Sequence, residues 1–262
     1  MMSLPRTAFL FLLVSVFGAC SKPSPEGGIT PAGEPFASPS DVTAKLAEGG
    51  HIDIQWRNNG AEQTGTFLEF NMNPGEPFGI LEILDLETTS VRHPDVAPET
   101  HFGYRVRPYF GRASDVVEIT TGPAPPESAP AEVEGPLPSS AAPSDSDPKA
   151  SVRSVATLAA ARPTGLTAAL SLPTTVDLRW HDRASDEEGY LADMSLAPGG
   201  AWQTVALLPA DATSFRKVGV PAQTRVRFRV RAYFLGTPAS SVTVVTPPQA
   251  TTPAPTARPL LR

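Results

Sequence analysis

Cysteine is all but missing. The one residue among 262, Cys20, excludes an intramolecular disulfide and any cysteine-built zinc cage. Histidine is scarce too: the four residues are scattered, too few for a histidine-rich metal or catalytic centre. Charged side chains make up only 18% and sum to −6 at pH 7, which argues against nucleic acid as a partner. There is no Gly-x-Ser-x-Gly, phosphate-binding loop or dinucleotide fingerprint, so no cofactor is expected and the chain does not read as an enzyme. His181-Asp182 is a poor base and orienting acid, because neighbours at a strand end point to opposite faces. Asp186-Glu187-Glu188 lacks the alternating spacing and the glycine of a calcium loop, and no metal site is expected.

What is abundant is proline, with 30 residues. They gather before residue 39, between residues 123 and 162, and after residue 247. Pro123-Ala124-Pro125-Pro126 and Pro136-Leu137-Pro138 are unsuited to a sheet interior, so 123–162 is read as a disordered Pro/Ala/Ser-rich linker. As a flexible coil of about 40 residues it would span roughly 35 Å. Residues 20–38 and 248–262 read as a flexible tether and tail. Within the linker, Val152–Ala161 has enough apolar character for a helical turn.

Arg6 precedes an apolar run, Ala8–Ala19, which is too short for the ~20 residues a membrane helix needs but suits a signal peptide. The run closes on Val16-Phe17-Gly18-Ala19-Cys20, small residues directly before the lone cysteine. This resembles the lipobox of bacterial lipoprotein precursors, with Phe17 where leucine is commoner. The resemblance implies removal of residues 1–19 and attachment of membrane lipid to Cys20. Ser21 follows, not the aspartate that retains such proteins at the inner membrane, so the implied address is the outer membrane of a bacterial envelope.

Shifting the chain by 124 residues aligns Pro39–Arg112 with Pro163–Gly236 without a gap, at roughly 20 identities in ~74 positions. Trp56 matches Trp180, Arg105-Val106-Arg107 matches Arg229-Val230-Arg231, and Tyr109-Phe110 matches Tyr233-Phe234. Each copy alternates apolar and polar residues, as in Ile52-Asp53-Ile54-Gln55-Trp56 and Val176-Asp177-Leu178-Arg179-Trp180, the period-2 mark of half-buried strands. About seven such strands, with turn residues every 8–12 positions, predict an all-β chain of two tandem antiparallel seven-stranded β-sandwiches at 39–122 and 163–247.

The pattern around Asp186-Glu187-Glu188-Gly189-Tyr190, Thr213-Ser214-Phe215 and Thr224 to Ala232 resembles the fibronectin type III family, an immunoglobulin-like fold. In both copies the family's sixth-strand tyrosine is replaced, by Phe102 and Val226. The resemblance implies a binding, adhesion or spacer role, or accessory service to a secreted glycoside hydrolase. The long linker implies modules that move independently.

Charge divides unevenly between the copies. Residues 36–123 hold 6 basic and 13 acidic side chains, net −7, and residues 163–247 hold 8 and 7, net +1. Arg225, Arg227, Arg229 and Arg231 alternate along one strand and share its outer face. Two readings follow. One is a solvated face with a cross-strand ion pair to Asp193. The other is a site for an anionic envelope glycan, lipopolysaccharide phosphate or an acidic envelope protein. Docking onto the acidic first copy is a third possibility. Trp202 and its counterpart Phe78 are expected to pack over a sheet edge, with a sugar-stacking platform as the alternative. Tyr109, Phe110, Tyr233 and Phe234 end the sixth strands, where one ring of each pair is expected to enter the core and the other to line a ligand-binding loop. The chain is expected to be monomeric.

Overall fold

The computed structural model describes residues 34–126, 132–137, 147–196 and 199–248. Residues 1–19, Cys20 and the tail from 249 onward lie outside the described residues.

The first copy forms β1 (Ser40–Ala47), β2 (His51–Arg57), β3 (Gln63–Asn71), β4 (Gly79–Asp85), β5 (Ser90–His93), β6 (His101–Phe110) and β7 (Val117–Thr120). The second forms β8 (Thr164–Leu172), β9 (Thr175–His181), β10 (Gly189–Leu196), β11 (Gln203–Pro209), β12 (Ser214–Lys217), β13 (Arg225–Leu235) and β14 (Val242–Val245). No helix occurs among the described residues. The predicted alternation is visible in β2, where Ile52, Ile54 and Trp56 are buried between half-exposed or exposed neighbours, and again in β9 with Val176, Leu178 and Trp180.

The chain is all-β, and each sandwich has a three-stranded and a four-stranded sheet, every pairing antiparallel. In the first, β1-β2-β5 packs on β4-β3-β6 through Ile52, Ile54, Trp56, Leu68, Phe102, Tyr104 and Val106. In the second, β8-β9-β12 packs on β11-β10-β13 through Val176, Leu178, Trp180, Tyr190, Phe215, Phe228 and Val230. Both copies keep a glycine at the start of the third strand for a steric reason. A Cβ on Gly65 would lie 2.2 Å from the Leu84 carbonyl oxygen, and one on Gly189 2.3 Å from that of Leu208.

The seventh strands are exchanged. β7 pairs with β13 of the second copy, Val117 opposite Phe228 and Ile119 opposite Val226. β14 returns to β6 of the first copy, Val242 opposite Tyr104 and Val244 opposite Phe102. Each sandwich has seven strands, as the alternation predicts, but six come from one copy and the seventh from the other. Between the crossings β6 and β13 pair directly, Phe110 opposite Phe234 and Tyr109 opposite Leu235, and fuse both four-stranded layers into one eight-stranded sheet. Reciprocal bonds from Gly236 N–H to the Pro108 carbonyl and from Ser114 N–H to the Val230 carbonyl hold the two crossings.

This corrects the picture of independent modules on a string. The aromatic strand ends are the mortar. Phe110 and Phe234 stack with centroids 5.0 Å apart, Tyr233 stacks on Phe67 at 5.6 Å, and Tyr109 meets Tyr233 edge-on at 6.4 Å. Aromatic contacts of this kind are worth about 0.5–1.5 kcal/mol each beyond the area they bury. Phe36, from the expected tether, adds edge contacts to Phe110 at 4.9 Å and Phe234 at 5.2 Å.

The linker is corrected as well, for the residues described. Gly135 bridges to Arg216 on the edge strand β12, and Leu137 is buried. Residues 147–162 form a strap over the open end of the second sandwich. Consecutive turns run from Ser154 to Ala161, with Leu158 N–H donating to the Ser154 carbonyl and Ala161 N–H to that of Thr157. These turns put Val152, Leu158 and Ala161 into the core with Phe110 and Phe234. A Pro/Ala/Ser-rich composition signals disorder because it offers little apolar area. Here three small apolar side chains suffice, because the cavity they fill is already walled by two sandwiches.

Candidate functional site

The arginine stripe lies on β13, and the pleat puts its side chains on the face opposite Val226, Phe228 and Val230. The structure then separates its members. Arg225 is exposed and reaches Glu118 of the exchanged β7 at 3.3 Å. Arg227 donates to Ser195 Oγ at 3.0 Å. Arg229 donates from Nε to Asp193 Oδ2 at 2.9 Å, across the register pair that joins β10 to β13. Arg231 is buried, donates to the Gly111 carbonyl at 3.2 Å and stands 3.7 Å from Asp193. Burial holds its pKa below the ordinary guanidinium value. The cross-strand pair to Asp193 is present, as the alternation suggests. A continuous anion-binding stripe is not, because the inner guanidiniums are committed to the fold.

Trp202 lies over this stripe, its ring centre 4.3 Å from the Arg229 guanidinium carbon and 5.1 Å from that of Arg227. The first copy repeats the arrangement, with Arg105 4.3 Å from the Phe78 ring and paired with Glu69. Both rings therefore pack over arginines on the sheet face, where the quadrupole of the ring attracts the cation. Trp202 is half-buried.

Beside Trp202 a groove of about 360 Å³ opens at the joint between the copies. The second copy contributes Asp193, Trp202, Gln203, Thr204 and Arg229, and the first contributes Glu82, Asp85, Thr88 and Tyr109. Thr204 Oγ1 donates to Asp193 at 2.9 Å, and Asp85 accepts from Thr88 N–H at 2.9 Å. Tyr109 is 5% exposed, its hydroxyl makes no hydrogen bond among the described residues, and burial pushes its pKa up to about 12.

Tyr109, Phe110, Tyr233 and Phe234 are not at a ligand loop: all four rings are buried in the joint. Each short motif recurs because it is one half of a self-complementary contact. Only Tyr109 also borders the groove. Cys20 lies outside the described residues.

The acidic end of the second sandwich is engaged by the strap. Asp186 accepts from Ser151 Oγ at 2.6 Å and from Val152 N–H at 2.7 Å, and Glu188 pairs with Arg153 at 2.9 Å. Asp182, Glu187 and Asp211 lie close enough to hold a cation between them. The Lys149 ammonium already contacts two of them, 2.6 Å from Asp182 and 3.1 Å from Asp211. Asp182 also accepts from the Tyr190 hydroxyl, so the His181-Asp182 step has a structural partner on its acid.

Glu82, Asp85, Gln203 and Thr204 attract no notice in the sequence, since each copy supplies only part of the groove. The available signal is the set of positions where two otherwise similar copies differ in polarity.

No family model matches the chain, and no curated protein matches it. Among solved structures it is similar to a two-domain fibronectin type III segment of chicken tenascin, at 14% identity over 80% of this chain and 100% of that one, with a TM-score of 0.26. It is similar also to the FN1–FN3 domains of chicken CNTN1, at 16% identity over 83% of this chain and 69% of that one, again with a TM-score of 0.26. The strand order and register above define two antiparallel β-sandwiches.

Proposed function

We propose that this chain is a non-catalytic binding protein of a bacterial envelope, tethered by lipid at Cys20, whose two sandwiches act as a single rigid head. The observation that carries the reading is the reciprocal exchange of β7 and β14 around an aromatic joint. Two freely jointed modules would have to be ordered by each ligand they shared, whereas a groove built from both copies is pre-organised and avoids that cost. Lipid attachment is supported by the resemblance of Val16 to Cys20 to a lipobox. A purely structural spacer is the second reading, favoured by the same rigidity.

Two measurements test this. Wild-type chain is expected to carry a palmitate label, and Cys20→Ser is expected to lose it; label retained on the variant overturns the anchor. The Cys20→Ser chain, freed of lipid, is expected to be retained on isolated envelopes of the source cell. Failure to be retained leaves the spacer.

A further inference from the structure

The reciprocal exchange relates the copies by a pseudo-twofold axis, so each feature at the joint has a quasi-equivalent place on the other side. The groove beside Trp202 breaks this symmetry. Its walls include Glu82, Asp85 and Thr88 from one copy and Trp202, Gln203 and Thr204 from the other. The positions 124 residues away are Ala206, Pro209 and Ala212, and Phe78, Gly79 and Ile80. At all six places the polar or larger aromatic member of the pair falls on the same groove, although three belong to the first copy and three to the second. Folding does not require this, because the quasi-equivalent place is built without those groups.

The chemistry of the walls narrows the ligand. Asp193 is neutralised by Arg229 at 2.9 Å and faced by Arg231 at 3.7 Å. Glu82 and Asp85 have no cationic partner among the described residues, so the groove carries uncompensated negative charge. That disfavours uronates and phosphates and favours a ligand bearing an ammonium group. The remaining groups are hydroxyl and amide side chains around an indole, with Ile83 and Leu84 beside them and the nearly buried Tyr109 hydroxyl, unpaired among the described residues, at the edge. A ring with polar edges and an apolar face matches such a wall.

We propose that this groove binds an amino sugar with a free ammonium group, a glucosamine-type unit, its ring face on Trp202 and its ammonium toward Glu82 and Asp85. The proposal rests on the binding reading above and names the ligand class of that site.

The test is calorimetric titration of the full chain in detergent at low ionic strength, with three hexasaccharides: glucosamine, N-acetylglucosamine and galacturonate. Glucosamine hexamer is expected to bind, and acetylation of its amines is expected to weaken binding by roughly tenfold or more, the loss of one charged hydrogen bond. Galacturonate is expected not to bind. The groove variants take the residue of the other copy, Glu82→Ala and Trp202→Phe, which the same fold already accommodates. Each is expected to weaken glucosamine binding by about tenfold with an unchanged melting temperature. Phe78→Leu, outside the groove, is expected to leave binding unchanged. Equal binding of all three sugars, indifference to Glu82→Ala, tighter binding of a lysine-rich peptide, or no binding would each overturn the proposal. If Cys20→Ser chain is retained on envelopes but glucosamine hexamer does not displace it, the ligand class fails and the binding reading stands. If it is not retained, the binding reading itself has failed.

Discussion

The two copies agree in their cores and at the aromatic joint and differ at their open ends. Strand register, the Trp56 and Trp180 anchors, and the Tyr-Phe ends of β6 and β13 are shared. The open ends are not. In the first copy Trp56 Nε1 donates to Asn58 at 3.1 Å, and Gln63 and Thr66 complete that network. In the second, Asp182 at the Asn58 position is drawn to Lys149 and Tyr190, and the Trp180 indole nitrogen is buried without a partner among the described residues. Glu62 in the first copy pairs with Arg112, while its counterpart Asp186 holds the strap. Identity persists where one side chain must satisfy two sandwiches at once, and divergence is tolerated at ends closed by different segments.

Deleting the chain beyond Gly236 should break this comparison most severely. The deletion removes β14 from the second copy's sequence but strips Val242 and Val244 from the first copy's core. A loss of about 3–6 kcal/mol is expected, part from the two partly buried valines and the rest from buried Thr246, which bonds Thr100 N–H and the Ala97 carbonyl. Hydrogen exchange should accelerate in β6 and spare β13. Acceleration in β13 would refute the exchange.

Phe110→Ala comes next, at about 3–5 kcal/mol for a fully buried ring. Phe110 belongs to the first copy but lies in the second copy's core cluster. Thermal unfolding followed by separate probes in each copy should shift together; a shift confined to the first would mean the joint is not shared.

Asp186→Ala should cost about 1–3 kcal/mol by leaving Val152 N–H and Ser151 without their acceptor. Proteolysis within 147–162 should quicken while the first copy's protection is unchanged.

The smallest effect is one of pH. His93 Nδ1 lies 2.8 Å from the Tyr104 hydroxyl, and burial lowers the His93 pKa from its ordinary value near 6.5. The folded state thus binds its proton less readily than the unfolded one. The contribution is complete above pH ~6.5 and declines as pH falls through that value toward the depressed folded pKa. The second copy has Lys217 there. Chemical denaturation at pH 7.5 and 5 should show the chain losing stability at the lower pH for this reason, and His93→Gln should flatten that dependence.

Much of the scaffold was legible in the sequence. Ile52, Ile54 and Trp56 announce a strand by alternation, and Asp193 opposite Arg229 follows from two strands of known facing. The Tyr-Phe ends were visible as a repeated motif but not as a joint, because the partner of each is its own duplicate. The strap was hidden by composition, since Val152, Leu158 and Ala161 matter only once Phe110 and Phe234 wall a cavity. The groove was hidden more deeply, being divided between segments more than 100 residues apart.

The sequence by itself determined that the chain is a duplicated all-β unit, where its strands lie, and which face of each is apolar. These properties are local: a period of two and a turn residue act within a few positions. Only the tertiary structure decided that the last strands trade places and that the inner arginines and terminal rings are spent inside the molecule. Backbone hydrogen bonds between strands are indifferent to sequence, and two sixth strands that share Arg-Val-Arg and Tyr-Phe offer the same edge. Which copy a seventh strand joins is settled by how the chain crosses after Phe110 and Leu235, and by what the crossing allows to be buried.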